Sequence, residues 1–211
     1  MSEDISGSND STVFTVLCVY QNSSDKIKTK EFLEACSDAV SIIERFGKAF
    51  APVVLDMQGN IQKLKREHEK DVTSNMYVED MILRERSEVG LATEALMWLK
   101  RGLHFLSTFF TLILEDSQLE MPSSDFGPLL KKAYTATLKS YHGWLGVQLF
   151  NILSRFMPNR KQLMFTLALD KDNHEQIVIR DMKVYTQNFS ATIQRLNEFY
   201  YSNGLEIRTN T

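Results

Sequence analysis

Apolar residues recur along most of this 211-residue chain at intervals of three and four, the spacing of amphipathic helices rather than of strands. Pro52 suits the first turn of a helix, and Gly204 stands where a C-cap would follow the last periodic stretch. Pro158 and Asn159 close the longest stretch. The pattern predicts helices, the first capped by Thr29, over residues 29–47, 52–68, 76–86, 93–114, 129–157, 161–169 and 176–201.

Residues 93–114 differ from the other stretches, because apolar side chains occupy almost the whole circumference of the predicted helix. Such a helix is normally buried on all sides. Residues 13–20 are short and β-branched, so their pattern fits a helix as well as a strand. Residues 1–12 are acidic and polar, which is typical of a solvated tail. We therefore expect a single all-α domain over residues 13–211 and a disordered tail over residues 1–12.

The composition supports long helices and limits the possible partners. Only nine Gly and four Pro occur, roughly half the usual share, while 43% of the residues are hydrophobic. The formal net charge of −3 argues against nucleic-acid binding, which needs an excess of Lys and Arg. Two cysteines, Cys18 and Cys36, are too few for a disulfide framework, so a reducing cytosol is the expected compartment.

Two stretches have some features of targeting or membrane segments. Residues 13–20 have the length of a signal-peptide core but lack its basic flank and its small-residue cleavage site. The longest apolar stretch without a charge covers residues 102–114, whereas a bilayer span needs about 20 residues. We expect neither a signal peptide nor a spanning helix.

The motifs of common enzyme classes are absent from the sequence. It has no glycine-rich phosphate loop, no HExxH, no CxxC pair and no GxSxG, and its four histidines are not spaced as metal ligands on one helix. We expect no metal and no cofactor. Catalysis would have to come from residues that meet only in the fold, such as an acid–base pair of Asp56 and His142 in a small hydrolase or isomerase.

Asp56, Asn60 and Lys63 stand at i, i+4 and i+7, which places them on one face of the predicted helix. The face offers a carboxylate acceptor, an amide that donates and accepts, and an ammonium donor. A polyhydroxylated ligand such as a sugar needs this mixture, because each hydroxyl both donates and accepts. The alternative is an ordinary solvated face with a weak ion pair.

The two tryptophans and His142 each have a structural and a functional interpretation. Trp98 fits a core aromatic or a platform on which the C–H face of a sugar ring stacks. His142 fits a hydrogen-bonded structural histidine or a donor to an amide carbonyl, with Gly143 allowing close approach. Trp144 suits a membrane interface, because an indole combines an apolar body with a polar N–H.

Three segments together carry a family resemblance: DMQGNIQK at 56–63, ALMWLKRGL at 95–103 and YHGW at 141–144. In this order and at these separations they resemble the glycolipid transfer protein family, over nearly the whole chain from about residue 32. The resemblance implies a two-layer helical sandwich that encloses a hydrophobic lipid pocket. It also implies a monomeric cytosolic carrier that moves a glycosphingolipid between membranes without chemical change.

The same resemblance assigns roles to individual residues. Asp56, Asn60 and Lys63 would bind the sugar headgroup, and Trp98 would stack on its first ring. His142, with help from Asp56, would bind the ceramide amide, and Trp144 would touch the membrane. The apolar pocket would be lined by Phe50, Val53, Phe105, Phe109, Leu138 and Phe150. The tail at 206–211 gives no match to the family, so no role is assigned to it.

Trp98 bears on the branch of the family. A carrier of ceramide-1-phosphate would be expected to have a cation at this position, because a phosphate prefers Arg or Lys to an indole. Trp98 therefore favours glycosylceramides, although Arg101 stands three residues further on. The alternatives that stay open are a ceramide-1-phosphate carrier and a glycolipid sensor that binds without efficient transfer.

Overall fold

A computed structural model describes residues 10–17, 25–85 and 90–206 of the chain. Within these ranges it contains α-helices, short 3₁₀ turns and one isolated bridge between Lys28 and Tyr77, and no β-strand. The α-helices are α1 (Val13–Val16), α2 (Thr29–Glu44), α3 (Ala51–Lys70), α4 (Val78–Arg84), α5 (Leu91–Asp116), α6 (Gly127–Thr137), α7 (Trp144–Leu153), α8 (Arg160–Leu167) and α9 (Glu175–Ser202).

Helix α5 is the centre of the domain. It is 26 residues long, about 39 Å at 1.5 Å per residue, and it packs against α3, α6 and α9. Its neighbours cover it on several sides, and for this reason almost its whole circumference is apolar. The prediction of a buried helix at 93–114 is confirmed, and α3 packs against α2 as well as against α5.

Most helix boundaries agree with the sequence pattern, but two expectations are wrong. Thr29 does not cap α2, because it is the first helical residue and its hydroxyl donates to the carbonyl of Asn75 at 2.7 Å. The single helix expected over residues 129–157 is divided into α6 and α7. The 3₁₀ turn Lys139–Tyr141 and the extended backbone of His142 and Gly143 separate them.

The described chain begins with a short segment that packs on the core. Thr12, at the end of the predicted tail, is fully buried, and its hydroxyl donates to Asp181 of α9 at 2.9 Å. Phe14 meets the edge of Phe110 on α5, with ring centroids 5.7 Å apart. The folded part therefore includes Thr12, whereas residues 1–9 of the predicted tail, like Cys18, lie outside the described ranges.

The two observations that follow concern the state of the buried cysteine and the possibility of a membrane span. Cys36 is buried in the core as a free thiol. Burial raises the pKa of this thiol well above the ordinary value, so it is a poor nucleophile. In the part of the chain that the structure describes, no helix has both the length and the apolar character needed to cross a bilayer.

Candidate functional site

One face of α3 carries Asp56, Asn60 and Lys63 as a connected polar row. The amide Nδ2 of Asn60 donates to Asp56 Oδ2 at 3.5 Å, and Lys63 Nζ donates to Asn60 Oδ1 at 3.4 Å. Both hydrogen bonds are long and therefore weak. Asp56 is exposed, Lys63 is half-buried and Asn60 is buried. The row is thus held in position while its polar atoms can still bind a hydroxylated ligand.

The contact between α3 and α5 brings this row close to Trp98. Met57 of α3 lies over Gly102 of α5, and Trp98 is one turn before Gly102 on the same face of α5. The indole is half-buried and packs against the core. One part of Trp98 is therefore fixed by the fold and another part is accessible to a ligand.

His142 reaches the same place from the segment between α6 and α7. Its ring lies 6.2 Å from that of Trp98 at an interplanar angle of 29°, and its Nδ1 is 3.0 Å from the hydroxyl of Tyr134. A Cβ at Gly146 would lie only 3.0 Å from Cβ and Cγ of His142. The glycine therefore allows the histidine to lie against the first turn of α7.

The surroundings of His142 favour its neutral form. Burial lowers the pKa of the imidazole, Asp56 raises it, Arg101 lowers it again, and the net direction is downward from 6.5. Burial also raises the pKa of the Tyr134 phenol, which stays protonated. When this phenol donates to Nδ1, the neutral imidazole has its proton on Nε2 and can donate it to a carbonyl.

We expect the pKa of the His142 imidazole to lie below 6.5. Asp56→Asn should lower the pKa of His142 further, because the substitution removes the carboxylate that favours the charged imidazole. Since the folded protein then binds this proton less well than the unfolded chain, acidification through the ordinary value of 6.5 destabilises the fold. NMR titration of the histidine side chains measures both effects. Asp80→Asn, on α4, is the control, and an imidazole pKa above 6.5 would contradict the assignment.

Arg101 and its partners were missed by the sequence analysis as parts of the site. The guanidinium lies 3.8 Å above the ring of Tyr141 and 5.0 Å from the ring of Trp98, and the side chain is 4% exposed. The spacing of Trp98 and Arg101 at i, i+3 was a local signal for their contact. No local signal indicated that Tyr134 and Tyr141 would join them, because the expected continuous helix concealed the break at His142.

Four of the six predicted pocket residues fall into two aromatic groups. Phe105 meets the edge of Phe150 at 6.1 Å, and Phe150 stacks on Tyr134 at 3.7 Å; these two phenylalanines are half-buried. Phe50 and Phe109 are fully in the core, where Phe46 bridges them at 5.6 Å and 6.1 Å. Val53 and Leu138 are half-buried. The group with Phe105 and Phe150 adjoins His142 through Tyr134.

Helix α7 exposes a row of large apolar side chains at its outer face. Trp144 and Leu145, at its first turn, are 73% and 76% exposed. The other members of the row are Leu149 and Ile152 on α7 and Phe156 in the 3₁₀ turn that follows the helix. Exposed contiguous apolar surface of this kind marks interaction sites, and here it begins two residues after His142.

Comparison with known proteins identifies the family. The model of the glycolipid transfer protein (GLTP) family matches residues 27–169, well over half of the chain. The chain belongs to this family. The resemblance inferred from the three sequence segments is thereby confirmed, and so is the all-α, single-domain GLTP fold. Members of the glycolipid transfer protein family are lipid transfer proteins and not enzymes, which rules out the hydrolase or isomerase considered above.

Relatives within the GLTP family differ in length and in lipid. Pleckstrin homology domain-containing family A member 8 of Danio rerio is 32% identical over 191 residues, which cover 85% of this chain and 34% of that protein. The chain thus spans about a third of the length of the curated relatives that it matches first. FAPP2, which selects simple glycosphingolipids using the GLTP fold, superposes with a TM-score of 0.78 at 27% identity, covering 94% of this chain and 95% of the other.

The fold alone does not decide which headgroup is bound. Mouse ceramide-1-phosphate transfer protein superposes with a TM-score of 0.79 at 16% identity, covering 92% of this chain and 98% of the other. This likeness shows the fold and nothing about ligand. The choice between a sugar and a phosphate must therefore come from side chains and not from the fold.

Proposed function

We propose that this member of the GLTP family is a monomeric cytosolic carrier that binds a glycosphingolipid and moves it between membranes without chemical change. The observation that carries the proposal is the half-buried indole of Trp98, which lies beside the polar row of α3 and 6.2 Å from the imidazole of His142. A flat apolar surface beside mixed donors and acceptors is what a sugar ring with C–H faces and hydroxyl edges requires.

In this proposal the headgroup lies on Trp98 and is held by the row on α3. Asp56 accepts from sugar hydroxyls, Lys63 donates to them, and Asn60 does both. The weak bonds at 3.4–3.5 Å within the row are replaced by bonds to the ligand. The exposed carboxylate of Asp56 loses little hydration before it binds, which keeps the cost of desolvation small.

The ceramide amide lies between His142 and Asp56. The imidazole donates its Nε2–H to the amide carbonyl, and Asp56 accepts from the amide N–H. The pKa directions support the required states, because the pKa of His142 lies below 6.5 and Tyr134 stays protonated as its donor. Both amide groups are then satisfied, as a buried polar group requires.

The hydrocarbon chains extend from the amide into the apolar interior. Phe105 and Phe150 are the first pocket residues beyond His142, since Tyr134 contacts both Phe150 and the imidazole. Val53, Leu138, Phe50 and Phe109 continue the lining. Each buried CH₂ stabilises the complex by about 0.8 kcal/mol relative to water, which compensates for removing the chains from a bilayer.

The apolar row on α7 is the proposed membrane-docking surface. Trp144 and Leu145 enter the interfacial region of the bilayer, and exposed Lys139 and Arg155 stand at the two ends of the row. Local basic residues are needed because the chain as a whole is negative, with a formal net charge of −3. Docking here places the proposed amide site at His142 against the lipid surface.

We expect Trp144→Ala to weaken vesicle docking by roughly tenfold and to change the binding of soluble short-chain glucosylceramide much less, because it removes an exposed interfacial anchor. Vesicle co-sedimentation measures docking, and calorimetry measures the soluble lipid. Met121→Ala, which removes another exposed apolar side chain, is the control. Equal losses in both assays would show that Trp144 supports the fold instead.

The function is tested with fluorescent glucosylceramide in donor vesicles mixed with unlabelled acceptor vesicles. Transfer by protein far below the amount of lipid supports the carrier. Uptake of one lipid per protein without delivery indicates the sensor, and a chemically changed lipid would contradict transfer without chemical change. Transfer of ceramide-1-phosphate in preference to glucosylceramide would contradict the assigned lipid class.

A further inference from the structure

The described chain ends on a turn that returns it to α5. After Ser202 the amide of Gly204 donates to the carbonyl of Tyr201 at 3.2 Å, and the amide of Leu205 donates to that of Tyr200 at 3.0 Å. This pair of bonds is the Schellman motif, in which the residue after the cap has positive φ. Gly204 has φ 65°, a value that glycine adopts without strain, so the predicted C-cap is confirmed.

The turn brings Glu206 to two basic residues of α5. One carboxylate oxygen accepts from Lys100 Nζ, and the other accepts from Arg101 Nη2 at 3.0 Å. Lys100 and Arg101 are 3% and 4% exposed, while Glu206 is about one-third exposed. Lys100 also donates to Asn197 Oδ1 at 3.0 Å and lies over the ring of Tyr200. The carboxylate of Glu206 thus lies on the solvent-facing side of two almost fully buried cations.

The surroundings of Glu206 favour its ionised form. Burial acts to raise the pKa of Glu206, but the hydrogen bonds and charges of Lys100 and Arg101 outweigh it and lower the pKa. Burial lowers the pKa of Lys100, and Glu206 partly reverses this. Both pKa values are lowered; for Glu206 this favours the charged form, whereas for the more deeply buried Lys100 burial outweighs the attraction of Glu206. With each side chain in its ordinary ionised form, the cluster has one net positive charge with Glu206 and two without it.

The position of Arg101 makes this charge relevant to the ligand. Its guanidinium lies between the rings of Trp98 and Tyr141, next to the place proposed for the headgroup. Guanidinium groups bind phosphates through paired, charge-assisted hydrogen bonds. Glu206 already accepts from one nitrogen of Arg101 and offsets its charge, so a phosphate would have to compete with a carboxylate attached to the same chain.

We propose that Glu206 is a specificity-determining residue, which excludes anionic headgroups by partly neutralising Arg101 beside Trp98 and its neighbour Lys100. This inference rests on the proposed function and extends it by naming the excluded class, the phosphate monoesters of ceramide. Glu206 does not touch the ligand; it acts through Arg101 and is a positioning residue. A neutral sugar loses nothing from this neutralisation, whereas a phosphate loses a favourable charge.

The test is the ratio of transfer rates for ceramide-1-phosphate and glucosylceramide with the same fluorescent ceramide, measured on the full chain. We expect Glu206→Gln to raise this ratio by about tenfold at low ionic strength. The increase should shrink at 0.5 M salt, where the Debye length falls to about 4 Å. Glu120→Gln removes the same charge from an exposed residue beyond the far end of α5. It should leave the ratio at the wild-type value.

A compensating substitution separates charge from altered folding. Lys100→Gln combined with Glu206→Gln returns the net charge of the cluster to its wild-type value, so the ratio should return towards wild type. An unchanged ratio in folded Glu206→Gln protein would overturn the inference, and so would a raised ratio that Lys100→Gln does not reverse. If the wild-type protein moves no glucosylceramide, the proposed function itself fails, which is a different outcome from an unchanged ratio.

Discussion

Asp56→Val is expected to lower glucosylceramide transfer by about 10- to 100-fold, because it removes the carboxylate that accepts from both the sugar and the ceramide amide. Each hydrogen bond to a charged group contributes about 1.5–3 kcal/mol, and each 1.4 kcal/mol corresponds to about tenfold. The loss also leaves Asn60 without one of its partners on the row. Vesicle-to-vesicle transfer measures the rate, and circular dichroism measures helicity.

The fold should tolerate Asp56→Val, because Asp56 is exposed on α3 and the helix propensities of Asp and Val are similar. Glu69→Val, which removes an exposed acidic side chain from the same helix, is the matched control and should transfer at the wild-type rate. Asp56→Asn keeps one acceptor oxygen but loses the charge, so an intermediate rate is expected. Wild-type transfer by Asp56→Val would contradict the headgroup assignment.

Local sequence was sufficient for those parts of the fold that depend on one helix at a time. The buried helix at 93–114 was recognisable because its apolar residues surround the axis, and α5 is indeed covered by α3, α6 and α9. Pro52 and Gly204 marked the start of α3 and the end of α9, since each adopts the backbone conformation required there. The i, i+4, i+7 spacing likewise placed Asp56, Asn60 and Lys63 on one face.

Contacts between distant parts of the chain escaped the sequence. No proline marks the break between α6 and α7, and the spacing of apolar residues continues across it. At the break, Tyr141 contacts Arg101 and His142 contacts Tyr134. Thr29 has the side chain of a good cap, but its hydroxyl finds Asn75 in another element. Glu206 meets Lys100 across 106 positions of sequence, and no local pattern encodes such a contact.

The site therefore combines a row that was predictable with surroundings that were not. The structure is compatible with both the core role and the stacking role of Trp98, since one part of the indole packs on the core and the other stays accessible. Two of its neighbours are Arg101, from the same helix, and His142, from the break in the next helical segment. Substituting Trp98 must consequently separate a stacking role from a packing role.

Trp98→Ala is expected to lower glucosylceramide transfer by about 30-fold or more, because burial of an aromatic face against a ligand contributes about 2 kcal/mol or more. Trp98→Phe keeps a flat apolar face and should retain a substantial part of the rate. Tyr77→Ala removes a half-buried aromatic ring outside the site and controls for lost packing. Rates are compared per folded protein, with unfolding followed by circular dichroism.

The two tryptophans of the chain allow binding to be observed directly. In Trp144→Ala protein, Trp98 is the sole indole, and stacking of a soluble glucosylceramide on it should shift and quench its emission. In Trp98→Ala protein, Trp144 remains and should respond to vesicles but not to the soluble lipid. A response of Trp144 to soluble glucosylceramide, or none from Trp98, would contradict the stacking role, because only Trp98 lies beside the polar row of α3 and the imidazole of His142.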